Sequence, residues 1–330
     1  MRNACQLPVT LNPPVRTYPG YAFVLSLLFA EPDRWFPWLL NNYILTLGNS
    51  DGTRYEFLPA DPFHIAEGVM KHYTVSLSKE MIDDKRAFSS ILGVLTAMIR
   101  RGYAMTCWMN EKYIPNRRAY QTYDFDHDNL VVGYDDGGQT LTLLGYSPQG
   151  VYGAVRVSAE QMAESLRNSG QDQIVWNFLK PNPDFLPVFD AEKTRARIRD
   201  YLESTPINAL GYTEFYGLSQ WVTGLSATRR LADYPVEEKG RYDIRLYSFL
   251  RDRTYLMRER AGYMMENGLV PSDEALLREF GAAADLAAVT HMLAVKYNAS
   301  HQPKYTATIR ENIGHIVRME ETLLPRLLDY

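Results

Sequence analysis

The segment Lys180-Pro181-Asn182-Pro183-Asp184 divides the chain into two hydrophobic patterns, and that division constrains the fold more than any single motif. Two prolines within three residues fix φ and remove backbone donors, so this segment should act as a linker. Before it, helical and strand patterns mix. Residues 21–29 read as a buried helix stopped by Glu31-Pro32. Residues 35–47 form a second apolar segment. Ser78 is placed to cap a helix running through Arg101, in which Phe88, Ile91, Leu92, Leu95 and Ile99 keep helical spacing. Gly102 stops it, and residues 103–108 read as a strand. Strands at 151–157 and 174–179 flank a helix that Ser158 and Gln161 open as a capping box. Beyond Pro187 the pattern is almost wholly helical, over 191–202, 211–225, 243–267, 272–297 and 304–328, with Ser272 at a helix start. The expectation is an α+β lobe with an antiparallel sheet over residues 1–185, followed by an all-α bundle of about five helices over 186–330.

The stretch with most chemical content is His127-Asp128-Asn129-Leu130-Val131-Val132-Gly133-Tyr134-Asp135-Asp136. Its apolar run reads as a buried strand, and Asp135-Asp136-Gly137-Gly138 as the hairpin turn into a returning strand over 139–146. His127 therefore enters a strand, where an imidazole can serve as a general base. A lone strand histidine is also commonly structural. His64, His291 and His301 lie in polar or loop-like contexts, His72 and His315 look like ordinary strand or helix residues, and no histidines have metal-ligand spacing. No metal or cofactor is expected.

Bulk composition excludes several classes. With 330 residues, 46% hydrophobic and 22% charged, the chain has a globular composition. A net charge of −4 with dispersed basic residues argues against nucleic acid. No apolar run is long enough to span a bilayer, and residues 1–14 lack the apolar core of a signal peptide. Two cysteines, Cys5 and Cys107, suggest no disulfide framework and fit a reducing cytoplasm. Asp124, Asp126, Asp128, Asp135 and Asp136 crowd around His127 without the pattern of a calcium loop, and read as a solvated acidic loop. Arg251, Arg253, Arg258 and Arg260 read as a basic helix face that could dock an acidic partner.

Taken together, these segments resemble the cysteine-peptidase-like proteins related to butirosin biosynthesis protein H, within the papain-like superfamily. Three patterns carry the resemblance: the buried helix over 20–29, the strand and loop over 104–120 (AMTCWMNEKYIPNRRAY), and the histidine strand. In the second half, Tyr216-Gly217 and Asp243-Ile244-Arg245 resemble the family's helical domain. The resemblance implies a papain-like lobe, a nucleophile at the start of the first helix, and acyl transfer from a carrier-protein thioester or a peptide. It implies a carrier protein or synthetase as partner, a small-molecule or peptide substrate, and admits a homodimer. In such a site a helix N-terminus and an imidazolium stabilise a thiolate, and backbone N–H groups hold the oxyanion.

The chain departs from that pattern at the nucleophile. Gly20, or Ala22 under a shifted alignment, stands where the resemblance places the cysteine, and the third member becomes Ser147 before Pro148. Cys5, Cys107 and Ser26 are weak substitutes: near-terminal, mid-strand and mid-helix respectively. The expected site is catalytic His127, Asn129 and Ser147, with Gly20, Tyr21, Ala22, Trp108 and Tyr134 binding substrate. Two readings follow: acyl transfer or cyclisation in which His127 works without a family cysteine, and an inactive scaffold for a synthetase or carrier.

Overall fold

A computed structural model describes residues 4–59, 65–135, 139–211 and 221–328. In chain order the strands are β1 (Cys5–Gln6), β2 (Thr46–Asn49), β3 (Tyr55–Phe57), β4 (Met70–Ser78), β5 (Ala104–Asn110), β6 (Asp126–Asp135), β7 (Thr140–Tyr146), β8 (Tyr152–Ser158), β9 (Gln173–Pro181) and β10 (Trp221–Thr223). The helices are α1 (Pro19–Leu28), α2 (Pro32–Asn41), α3 (Lys79–Asp83), α4 (Lys85–Arg100), α5 (Ala159–Arg167), α6 (Ala191–Glu203), α7 (Gly224–Arg230), α8 (Val236–Lys239), α9 (Ile244–Glu266), α10 (Glu274–Ser300) and α11 (Pro303–Leu323). The fold is α+β, and the strands pair antiparallel.

The chain forms two compact units. The first comprises residues 1–32 and 66–186, the second residues 33–65 and 187–330. A contiguous first lobe over 1–185 is therefore corrected. The segment 33–65 belongs to the C-terminal unit because its apolar residues Ile44, Leu45, Leu47 and Leu58 share one buried cluster with Ile198, Tyr201, Leu225, Met257 and Phe280.

In the first unit the sheet runs β4-β9-β5-β6-β7-β8, and short β1 extends it by pairing with β6. The apolar stripe of α4 is buried as its spacing requires. Burying each such side chain stabilises by about 1.5–3 kcal/mol. The helix expected from Ser78 to Arg101 is instead two. Asp84 takes an extended ψ of 110°, and its side chain accepts from Arg86 N and Ala87 N, which starts a second helix. Ser158 and Gln161 form the expected capping box. The expected turn at 135–138 falls largely outside the described residues. The proline-rich linker begins later than expected, since Lys180 and Pro181 close β9 against Lys71 and Met70.

The second unit is not all-α. β10, β2 and β3 form a three-stranded sheet beside its helices. Residues 221–225, expected as the end of a helix, are instead strand β10 and the first turn of α7. Gly224 has φ +57°, and an added Cβ would lie 2.2 Å from Tyr201 O, so only glycine allows this strand-to-helix switch against α6. The earlier part of that expected helix, with Tyr216 and Gly217, lies outside the described residues. α10 starts two residues later than expected, at Glu274, with Asp273 as its cap.

The expected basic face on α9 is also corrected. Arg253 and Arg260 lie seven apart on the inward face and are fully buried. Arg253 pairs with Glu320, and Arg260 donates to Leu40 O and Asn42 O at the end of α2. Burial, and then the like charge of Arg253, disfavour the charged form of Arg260. Arg251 and Arg258 are paired with Asp252 and Glu259. No described helix is long and apolar enough to cross a membrane.

Candidate active site

Pairing of β5 with β6 sets the neighbours of His127. Met109 lies opposite His127, Trp108 opposite Asp128 and Cys107 opposite Asn129. Side chains alternate along a strand, so Cys107, Met109, His127 and Asn129 share one face, and Trp108 and Asp128 the other.

A tight turn then returns the chain toward His127. Residues Glu111–Tyr113 form one turn of 3-10 helix, with Asn110 at its cap accepting from Lys112 N. The buried Asn110 also accepts from Phe125 N and donates to Asn168 O, while Glu111 N donates to Phe125 O at 2.8 Å. The end of β5 is thus tied to the residues just before His127. Glu111, which sequence reasoning missed, is carried in beneath the imidazole.

The result is a closed polar ring. His127 Nδ1 lies 3.1 Å from Glu111 Oε1. Arg117 Nε lies 3.7 Å from the same oxygen. Arg117 donates to Asn129 Oδ1 through Nε at 3.3 Å and Nη2 at 3.1 Å, and Asn129 Nδ2 donates back to His127 O at 3.2 Å. The guanidinium lies across Gly145, where an added Cβ would stand 2.5 Å from Nη2. Arg117, Glu111 and Asn129 are buried, whereas the His127 side chain is 32% exposed. Burial depresses Arg117, and the Glu111 carboxylate and Tyr152 oppose that shift.

This arrangement has a chemical direction. A carboxylate on Nδ1 selects the tautomer with its proton there, leaving Nε2 as the acceptor. No described residue hydrogen-bonds Nε2. The ring is stacked on Phe125 at 5.3 Å between centroids, and Phe125 and Tyr123 are both exposed. The site is an oriented, half-open imidazole beside an exposed aromatic surface.

The other expected site residues divide. Asn129 belongs to the ring, though it acts through Arg117 and the backbone. Trp108 is half-exposed, and its indole bonds Asp128, whose carboxyl burial pushes up against opposing contributions from His127 and Trp108. Ser147 does not orient His127. Its hydroxyl faces Gln149 Oε1 and accepts from Gln149 N and Val151 N, closing its own turn. Tyr134 is buried at the other end of β6, seven residues or about 23 Å along the strand, with its hydroxyl accepting from Arg100 Nε. It is no neighbour of His127.

Helix α1 opens with Pro19 at its first position and Gly20 at its second. Ala22 N donates to Tyr18 O at 3.0 Å, so that N–H closes the first turn and cannot hold an oxyanion. Tyr21 and Ala22 are buried. Arg16 O, just before the helix, accepts from the hydroxyl of Tyr146. Tyr146 stands two residues beyond Leu144, the partner of Leu130, so the entry to α1 is anchored at the same end of the sheet as His127. Ser26 Oγ lies 3.0 Å from Tyr152 OH, and both residues are buried, a packing role.

Neither cysteine supplies an exposed thiol beside His127. Cys107 is buried, and burial together with Asp128 pushes its thiol up, away from the reactive thiolate. Cys5 pairs with Tyr134 in β1, at the far end of β6. The acidic residues are engaged individually: Asp124 by Asn110 and Lys112, Asp126 by Gly170 N, Asp135 by Arg156. Among the described residues no group of three potential ligands could hold a metal.

No family model matches the chain, and no curated protein matches it.

Proposed function

We propose that the first unit is a cysteine-peptidase-like lobe that moves acyl groups from carrier-bound thioesters or peptides to an amine, with His127 as general base and Glu111 as the group that orients it. The observation that carries this reading is the 3.1 Å contact between His127 Nδ1 and buried Glu111, made while the imidazole stays partly open. A histidine held this way on Nδ1 presents Nε2 for proton transfer.

Lacking a thiol, the reaction would proceed in one transfer. The acceptor amine attacks the acyl carbonyl carbon and loses its proton to Nε2. The new C–N bond forms, the C–S bond breaks, and the imidazolium returns the proton to the leaving thiolate. Phe125, stacked on the ring, offers a surface for the acyl chain or acceptor. A carrier protein or synthetase would present the donor in a reducing cytoplasm.

A second reading has its own support. Arg117 neutralises Glu111 inside a closed ring, which is what a purely structural polar core also needs. On that reading the lobe is an inactive scaffold that binds a carrier or synthetase. The two separate in one assay: purified protein, an acyl-pantetheine thioester and a primary amine, followed by mass spectrometry. The catalytic reading expects amide that falls by about 10²–10⁴-fold in His127→Ala. Product unchanged by that substitution, or none above background, leaves the scaffold.

A further inference from the structure

Helix α10 carries a second stripe that packing within its own unit does not use. Its buried side holds Leu276, Phe280, Ala283, Ala284, Ala287, Thr290 and Ala294. On the other side Ala282, Asp285, Val289, Met292, Lys296 and Ala299 are all exposed, with Val289 at 50% and Met292 at 52%. Their spacing alternates three and four, the seam of an antiparallel helix pair. Exposed Val295 and half-buried Leu286 and Leu293 flank it.

The stripe reads the same against itself reversed. Centred between Thr290 and His291, a twofold axis sets Val289 against Met292 of a second copy, Asp285 against Lys296, and Ala282 against Ala299. Apolar meets apolar at the centre, each acid meets a base one layer out, and small residues meet at the ends, where backbones can approach. Asp285 and Lys296 form no ion pair among the described residues. A parallel pairing in register would instead set Asp285 on Asp285 and Lys296 on Lys296. We propose that this face of α10 is the interface of a homodimer, in which the helix pairs antiparallel with that of a second copy of this chain.

A twofold interface of this kind is self-complementary by construction. One pair of helices over residues 282–299, about 26 Å long, lies at the small end of specific interfaces. The dimer should therefore dissociate in the micromolar range.

Sedimentation velocity of the full chain from about 1 to about 200 µM tests the proposal. A reversible dimer is expected, lost in Met292→Glu. Asp285→Lys and Lys296→Asp should each weaken it by about tenfold or more, and the two together should restore it, because the charges then meet in exchanged order. Circular dichroism of each variant confirms that the helices persist. A monomer at every concentration, a dimer indifferent to Met292→Glu, or a double exchange that fails to restore association would each overturn it.

Discussion

Glu111 Oε1 and His127 Nδ1 meet at 3.1 Å although sixteen residues separate them. The contact exists because β5 and β6 pair antiparallel and one 3-10 turn folds the intervening chain back. Glu111 also faces Arg117, whose side chain is 1% exposed. Glu111→Gln keeps the shape but removes the only negative charge set against that guanidinium within the ring. An uncompensated buried charge costs about 3 kcal/mol or more. Urea unfolding at pH 7 should show a lower midpoint with an unchanged slope, and a midpoint within error of the parent would mean that the ring is not electrostatically tight.

Gly145→Ala tests the same ring from below. The new Cβ would stand 2.5 Å from Arg117 Nη2, and the guanidinium cannot move without loosening its bonds to Asn129. Crowding a packed site of this kind costs about 1–3 kcal/mol. Thermal unfolding should report it, and an alanine that leaves the melting temperature unchanged would show Arg117 to be free to move aside.

In the second unit, Glu320 is the partner on which a buried arginine depends. Arg253 Nη1 donates to Glu320 Oε1 at 2.7 Å, and Tyr201 OH donates to Oε2 at 2.7 Å. Glu320→Ala leaves Arg253 charged and buried, at a cost of about 3–5 kcal/mol. Replacing both residues with methionine should recover much of that loss, because neither member of the pair is then left buried and charged without the other. A double replacement as unstable as the single would assign the loss to packing instead.

How legible this was in the sequence depended on range. Strand β6, the Ser158 capping box and helix α9 are written in adjacent residues. Glu111 was not legible, because in Glu111-Lys112-Tyr113 it looks like one more solvated charge. The one local hint is Asn110 before it, a turn-capping residue at the end of an apolar strand. Arg253 and Arg260 were misread for a related reason. Residues seven apart share a helix face, but spacing alone does not say whether that face points inward, and the partner Glu320 comes from another helix. The crossing of residues 33–65 into the second unit likewise follows from contacts with Ile198 and Leu225, far along the chain.

Asp243 gives a pH dependence with a definite sign. Burial raises its carboxyl, but the hydrogen bonds and charge of Arg245 outweigh this and hold it below the ordinary value. A depressed carboxyl stabilises the fold above its unfolded value of about 3.9, and that contribution is lost as pH falls through the lower folded value. Asparagine caps a helix as well as aspartate does, so Asp243→Asn removes mainly the charge. The parent should exceed the variant by about 1 kcal/mol at pH 7, and the gap should narrow as the pH falls below about 4. A gap that stays constant with pH would assign the difference to shape.

The last prediction separates Gly20 from Ala22 as the position at which the proposed lobe would carry a nucleophile. Ala22 is fully buried, and its N–H closes the first turn, so a thiol at that position would point into the core. Gly20 is only half-buried, one position inside the helix start, where the dipole favours a thiolate. Gly20→Cys should therefore react with iodoacetamide at mildly acidic pH, faster than Cys5, while Ala22→Cys and native Cys107 stay silent. Adding His127→Ala to Gly20→Cys should slow the reaction if the imidazolium lies close enough to stabilise the thiolate. Intact-mass measurement over time gives each rate. A Gly20→Cys thiol that reacts no faster than an ordinary one, with or without His127, would mean that the start of α1 and the Glu111–His127 pair do not form one site. The histidine ring would then stand alone, and the scaffold reading would gain from it.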